Sequence, residues 1–152
     1  MADIIILSDQ SDWYGSNCCR YIGPYVVASQ LEEVGYDVAV IDWFTRMPNF
    51  FQFLEELLSK KTVMVCISTT FLSAMQQSSN DDTRTDMSAR HYNTAITYWH
   101  KNVNELSNWL AELRNVLNTY NTKCKIVLGG TKTEFLYNAS DNPYFKNIFQ
   151  EN

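Results

Sequence analysis

Length, composition and charge place the chain among single soluble domains and exclude several classes of function. The 152 residues include 12 Lys and Arg against 17 Asp and Glu, a net charge of −5, which argues against a nucleic-acid partner. Hydrophobic residues make up 45% of the chain, yet the apolar runs are far shorter than the ~20 residues that cross a bilayer. Because no basic signal region opens the chain, we expect a cytoplasmic protein with no membrane partner.

The cysteines and histidines show no metal-binding spacing. Four cysteines and two histidines are present, and no CxxC or CxxxCxxC pattern occurs among Cys18, Cys19, Cys66 and Cys124. Structural zinc sites need closely spaced pairs of such ligands. The sequence therefore predicts free thiols and no metal site held by this chain alone.

Strand and helix signals alternate along the chain. Apolar runs predict strands at residues 3–7, 37–41, 62–68 and 125–128, and their unbroken apolar character is typical of parallel strands covered on both faces. A first helix is predicted over residues 24–34, with Gly35 as its stop, and a second opens at Pro48-Asn49 and closes at Lys60-Lys61. The pattern indicates an α/β, doubly wound parallel sheet of at least four strands. We find no signal for a fifth, edge strand.

One unusually long helix is predicted between the third and fourth strands. Apolar residues recur there at alternating steps of four and three, namely Trp99, Val103, Leu106, Leu110, Leu113, Leu117 and Tyr120. A helix over residues 94–120 would be ~40 Å long at 1.5 Å per residue, so its first turns should overhang the sheet at the carboxyl ends of the strands. The same spacing also fits a coiled-coil seam, which would make a homodimer through this helix.

The loops at the carboxyl ends of the strands are where open α/β sheets bind ligands. In the first loop we single out Asp9, Gln10, Ser11, Tyr14 and Gly15, whose mixture suits a large, partly apolar ligand and matches no phosphate-binding glycine motif. Behind the third and fourth strands we add Ser68, Thr69, Thr70, Phe71, Gly129, Gly130 and Thr131. Each residue has a plainer interpretation as a turn, cap or strand-break residue. Asp42 can bind a ribose hydroxyl, but a solvated turn is the favoured interpretation.

With these loops in view, the sequence resembles the N-terminal cobalamin-binding-like domain of radical S-adenosylmethionine enzymes. The resemblance covers most of the chain and rests on four segments in order: Ile22-Gly23-Pro24-Tyr25, Leu31-Glu32-Glu33-Val34-Gly35-Tyr36-Asp37-Val38, Cys66-Ile67-Ser68-Thr69-Thr70-Phe71-Leu72 and Ile126-Val127-Leu128-Gly129-Gly130. It implies a Rossmann-like, flavodoxin-like fold with cobalamin across the carboxyl edge. Ser68 and Thr70 would then contact the nucleotide tail, and Gly129 with Gly130 would make room for it.

The chain departs from the family pattern at two points. The DxHxxG motif supplies a histidine that ligates cobalt, whereas Ser11 stands at that place after Asp9. Members of the radical family often lack this ligand too. The CxxxCxxC motif of the catalytic barrel is also absent, so a 4Fe-4S cluster and S-adenosylmethionine are expected only if a downstream domain exists. Residues 1–152 are thus expected to form one domain of a longer radical enzyme, not catalytic alone.

A second hypothesis comes from a different class of protein. The overhanging helix and the aromatic residues near the end of the chain, Tyr144, Phe145 and Phe149, can bury a partner surface. The chain would then be a non-enzymatic protein-interaction module with a vestigial cofactor site. Cobalamin, or a similar large flat ligand, remains the ligand of the leading hypothesis.

Overall fold

Strands and helices alternate along the computed structural model, which describes residues 1–8, 22–42, 44, 47–69, 107–130 and 133. The strands are β1 (Ile4–Ser8), β2 (Val38–Asp42), β3 (Met64–Ser68) and β4 (Lys125–Gly129), and the helices are α1 (Ile22–Glu33) and α2 (Phe50–Leu57). Residues 107–120, between β3 and β4, are also helical and are called α3 here. No helix in these described ranges is long and apolar enough to cross a bilayer.

The four strands form one sheet in the order β2-β1-β3-β4, and every neighbouring pair is parallel. This confirms the predicted α/β parallel sheet of Rossmann-like or flavodoxin-like type. The chain moves from β1 outward to β2 and then returns past β1 to β3. The strand order therefore reverses between β1 and β3, which is the place where open α/β sheets form their ligand crevice.

β1 is buried along its whole length because helices lie on both sides of the sheet. Ile5 and Leu7 are 0% exposed and face the side covered by α2 and α3, whereas Ile4 and Ile6 face α1. Side chains alternate between the two faces of a strand, so a strand covered on both sides buries every position, and the first four positions of β1 are apolar. This is the physical reason for the apolar run by which the sequence announces β1.

The larger core lies on the α2 and α3 side of the sheet. Leu110, Leu113 and Leu117 of α3 are each 0% exposed, as is Leu54 of α2. They pack in one cluster with the sheet residues of that face, among them Val65 and Ile126. The apolar stripe of α3 is therefore used against this chain's own sheet over residues 107–120. The part of the predicted long helix before residue 107 lies outside the described residues, as do 131–132 and 134–152, where a fifth strand would be sought.

Helix boundaries follow packing more closely than periodicity. α1 ends at Glu33, one residue before the predicted end. The predicted stop, Gly35, has a φ of +98°, and Gly35 and Tyr36 donate backbone hydrogen bonds to Glu32 and Leu31, a Schellman motif. α2 ends at Leu57, before the predicted Lys60-Lys61 stop. The reason is Leu58, which adopts an extended conformation and is 3% exposed. Its burial turns the backbone out of the helix.

Candidate functional site

A row of small and polar residues crosses the carboxyl ends of all four strands on the α1 face of the sheet. Asp42 is the register partner of Ser8 on β1, and Gly129 is the partner of Ser68 on β3. The pairing of Leu7 with Ile67 joins the two halves. We call these four residues, Asp42, Ser8, Ser68 and Gly129, the edge row. The sheet is built almost entirely of apolar side chains. The edge row is where its polar side chains lie next to backbone that no side chain covers, at Gly129.

The β2 end of the edge row is held by a hydrogen bond from the first helix. The Tyr25 hydroxyl, in the first turn of α1, donates to the Asp42 carboxylate across half-buried surroundings. Asp42 is therefore not the solvated turn residue that the sequence favours. Its carboxylate fixes the start of α1 against β2. Ser8 beside it is only 1% exposed, so the β1 position contributes a buried hydroxyl.

The β3 and β4 ends of the edge row are fastened together by Thr69. Its backbone N–H donates to the Gly129 carbonyl at 2.7 Å and its hydroxyl donates to the same oxygen at 2.9 Å. The hydroxyl also lies 3.2 Å from that of Thr133. Thr69 is 0% exposed, and its only hydroxyl hydrogen is already used. The residue therefore holds the two strand ends in place, and any effect on a ligand acts through Gly129.

The two glycines behind β4 differ in what they require. Gly130 has a φ of +108°, a left-handed conformation that side chains disfavour, so glycine is needed there for the turn. Gly129 is still within the strand, and a Cβ built on it would meet no atom within 4 Å. The space beside Gly129 is therefore not filled by the protein's own described residues. Of the two, Gly129 is the one that leaves room at the edge row.

The structure brings together the four predicted site residues that it describes. Ser68, Thr69, Gly129 and Gly130 form one group at the ends of β3 and β4. The remaining predicted residues lie outside the described residues, and their roles stay predictions: Asp9, Gln10, Ser11, Tyr14, Gly15, Thr70, Phe71 and Thr131.

Sequence reasoning missed Ser8 and Tyr25 as members of the site. The alternation of side chains along a strand could have indicated Ser8, because residues 4, 6 and 8 must point to one face of the sheet when Ile5 and Leu7 point to the other. The Tyr25 contact depends on the angle at which α1 crosses β2. No spacing in the sequence encodes that angle.

A cluster of four aromatic rings forms a second feature, at the β2 end of the same edge but on the opposite face. The ring centroids of Phe44 and Phe50 are each within 5.6 Å of the Trp109 centroid, and Phe51 lies 5.7 Å from it. A cavity of about 360 Å³ opens beside them. Its lining also includes Met47 and the exposed side chains of Asn49, Gln52 and Glu112. Because the rings pack on one another, the apolar area that they bury mainly stabilises the contact between α2 and α3.

Thiols and possible metal ligands do not form a site in the part of the chain that the structure describes. Cys66 and Cys124 are free, and burial, followed by the neighbouring Cys124, raises the pKa of the Cys66 thiol from 9.0 to about 11. Within those ranges no group of three His, Cys, Asp or Glu side chains could hold a metal ion. A neutral, half-buried thiol is a packing group and a poor nucleophile.

Comparison of the chain with protein-family models, curated proteins and solved structures returned no match.

Proposed function

We propose that the chain is a cobalamin-binding-type domain of a radical S-adenosylmethionine enzyme, with the ligand at the carboxyl edge of the sheet and no histidine below the cobalt. The observation that carries the proposal is the register pairing of Ser68 with Gly129, beside space that no described atom occupies. It lies next to the reversal of strand order between β1 and β3, where ligands of such sheets bind.

The residues of the edge row suit the polar tail of such a ligand. Ser68 is half-buried and lies at the end of β3, so its hydroxyl is available for a hydrogen bond at the rim. Gly129 is exposed and lets a flat group approach the backbone, since no side chain stands in the way. Ser8 lies on the same face but is only 1% exposed, so Ser68 is the described hydroxyl of the row that a ligand can reach. Thr69 keeps Ser68 and Gly129 at a fixed separation, which lowers the cost of ordering the site on binding.

The reaction of the proposed enzyme would need groups that this chain does not supply. A bound cobalamin provides a cobalt centre able to carry a methyl group. The 4Fe-4S cluster and S-adenosylmethionine of the proposal would be held by a domain with a CxxxCxxC motif, a motif this sequence lacks. The role left to these residues is to bind and orient. We include a cytoplasmic location in the proposal, in keeping with the free thiols of Cys66 and Cys124.

The test is equilibrium binding of hydroxocobalamin to the full chain, read from its visible absorbance in gel filtration and in titration. The wild-type chain should carry the coloured ligand with it at micromolar concentration. Gly129→Trp should weaken binding by at least about tenfold, because the ring fills the space beside the β4 end (about 1.4 kcal/mol per tenfold change). Gly130 is not used, since its positive φ would strain any replacement.

The control is Val63→Trp. Val63 precedes β3 at the amino ends of the strands and is 43% exposed, so a large side chain there is far from the edge row. The affinity of the Val63→Trp variant for hydroxocobalamin should stay within about twofold of the wild type, a much smaller change than the tenfold loss expected when the site is blocked. If the wild-type chain binds no hydroxocobalamin, or if Gly129→Trp binds it with the affinity of the wild type, the proposed cobalamin site is wrong.

A further inference from the structure

Backbone hydrogen bonds join the amino ends of the four strands in a second row, at the edge of the sheet opposite the edge row. The N–H of Asp3 donates to the Asp37 carbonyl, and the N–H of Val63 donates to the Asp3 carbonyl, both at 2.8 Å. The N–H of Lys125 donates to the Val63 carbonyl at 2.9 Å. We call Asp37, Asp3, Val63 and Lys125 the amino row. Its side chains change from acidic through apolar to basic in the strand order β2-β1-β3-β4.

The connections at this amino edge are described in full, namely residues 34–37, 58–63 and 121–124. Each internal segment outside the described residues lies between the carboxyl end of a strand and the helical residues that follow it. In a parallel sheet both of these points belong to the carboxyl edge, because a crossover helix starts there and returns the chain to the amino edge. The charge pattern of the amino edge is therefore carried by described residues.

The β2 end of the amino row is acidic. Glu32 and Glu33 are exposed in the last turn of α1, and Asp37 is exposed just before β2. Asp3 lies beside Asp37, since its carboxylate accepts the Asp37 backbone N–H at 3.0 Å. Residues 22–42 contain no Lys or Arg. Four carboxylates are thus gathered at this end without a basic neighbour on α1 or β2.

The β4 end of the amino row is basic. Four exposed lysines lie on the two turns that lead into β3 and β4, namely Lys60, Lys61, Lys123 and Lys125. Asn121 holds these turns together, because its side-chain amide donates to the Thr62 carbonyl at 2.9 Å. The four ammonium groups therefore stand on neighbouring turns of fixed geometry, in a chain whose net charge is −5.

The acidic and basic ends complement each other between two copies of the chain. They lie three strand spacings apart, ~14 Å, well beyond the ~4 Å of an ion pair. A two-fold axis perpendicular to the sheet, placed at the amino edge between β1 and β3, sets the β2 end of one copy against the β4 end of the other. Such an isologous contact uses the same patch on both copies.

Apolar side chains at the same edge add to this charge complementarity. Exposed ion pairs contribute little singly, so a stable contact also needs apolar area. Val34, Tyr36 and Val63 are 71%, 44% and 43% exposed, and all three lie in the connections of the amino edge. Val63 is also a member of the amino row, between its acidic and basic ends.

We propose that the amino edge is the contact surface of a homodimer in which two copies meet end to end. Its four carboxylates and four ammonium groups cancel, whereas the whole chain carries −5. Two copies that repel each other through the rest of their surface are therefore attracted at this edge. The contact lies at the opposite edge from the proposed cobalamin site and does not depend on whether cobalamin binds.

Sedimentation equilibrium of the full chain tests the proposal. The wild type should pass from the mass of one chain, 17.6 kDa, to twice that mass as its concentration rises. Raising the salt concentration from about 0.05 M to about 0.5 M should weaken the dimer at least about tenfold, because salt screens exposed charges. A wild type that stays monomeric up to about 1 mM, or a dimer whose affinity does not respond to salt, would overturn the proposal.

Charge reversal identifies the surface. Glu32→Lys with Glu33→Lys cancels the charge of the β2 end, and lysines suit the last turn of a helix. Lys123→Glu with Lys125→Glu cancels the charge of the β4 end. Each double variant alone should dimerise at least about tenfold more weakly than the wild type. In an equimolar mixture the intact acidic end of one variant faces the intact basic end of the other, so the dimer should return in part.

The matched control compares Glu112→Lys with Glu33→Lys, which change the net charge equally. Glu112 is exposed on α3 and lies nine residues before Asn121, ~14 Å along the helix from the amino edge. Glu112→Lys should leave the dimer Kd within about twofold of the wild type, whereas Glu33→Lys should raise it more than about threefold. Equal effects of these two variants, or a mixture of the double variants that dimerises no better than either alone, would overturn the proposal.

Discussion

The hydroxyl of Thr69 donates a hydrogen bond of 2.9 Å to the carbonyl of Gly129, the same oxygen that accepts the Thr69 backbone N–H. Both donors come from the residue that follows β3, and the acceptor is the last residue of β4. Two strands that are far apart in sequence thus end at one point of the sheet edge. These two hydrogen bonds set the geometry of the β3–β4 half of the edge row.

Replacing Thr69 by Val should destabilise the protein by about 1 kcal/mol, the net contribution of a typical hydrogen bond. Valine keeps the shape of the side chain and removes only the hydroxyl. Urea denaturation should show a lower midpoint with an unchanged slope. The control is Thr119→Val: the Thr119 hydroxyl donates to Val116 within the exposed surface of α3, and its loss should change stability by less than about 0.5 kcal/mol. Equal losses in the two variants would contradict a special role for Thr69.

Adjacent glycines offer a second comparison. Gly130→Ala should cost about 1–2 kcal/mol, because a Cβ is disfavoured in the left-handed region and the φ of Gly130 is +108°. Gly129→Ala should lie within about 0.5 kcal/mol of the wild type, since a Cβ there meets nothing within 4 Å. Thermal unfolding of both variants under one condition checks the difference. A large loss in Gly129→Ala would show that the space beside it is not open.

The sequence was a good guide wherever one physical requirement dominated. The run from Ile4 to Leu7 had to be a strand buried on both faces, and it is. Gly35 had to end α1, because few other residues adopt its positive φ. Both features depend on local chemistry that a window of ten residues contains.

What the sequence could not supply depends on how separate elements meet. Asp42 looked like a solvated turn until α1 brought the Tyr25 hydroxyl to it. Thr69 looked like a ligand-binding hydroxyl, and the alignment of β3 with β4 instead gave it the Gly129 carbonyl. Leu58 lay inside the predicted second helix, yet it is buried in an extended conformation just after α2. Each of these outcomes was fixed by tertiary packing, which no local pattern contains.

The leucines of α3 distinguish a core helix from a dimer seam. Leu113→Ala should destabilise the protein by about 2–5 kcal/mol, the range for a leucine truncated in a packed core, because Leu113 is 0% exposed within this chain. Asn118→Ala, on the exposed side of the same helix, should be neutral or slightly stabilising because alanine is the better helix former. Urea denaturation measures both. Light scattering should give the same mass for Leu113→Ala as for the wild type; a loss of mass would instead place this stretch of α3 in an interface between copies.

The thiol of Cys66 gives a prediction in pH. Burial, and then the neighbouring Cys124, raises its pKa from 9.0 to about 11. The folded chain therefore holds its proton more tightly than the unfolded chain. This favours the fold fully below pH 9, and the advantage is lost as the pH rises from 9 to 11. At pH 8 the folded protein should contain about a hundredfold less Cys66 thiolate than the urea-unfolded chain, since each pKa unit changes that fraction tenfold.

Alkylation by iodoacetamide, with Cys66 located by mass spectrometry, measures this thiolate directly. In the folded protein the rate should be about a hundredfold below that of the unfolded chain at pH 8 and should rise about tenfold per pH unit up to pH 10. Burial also raises the pKa of Cys124, against the opposing effect of Arg114. Both thiols should therefore react slowly in the folded protein, and both should reduce the stability of the fold at alkaline pH. Alkylation of folded Cys66 at the unfolded rate would mean that solvent reaches β3 freely from the α1 face.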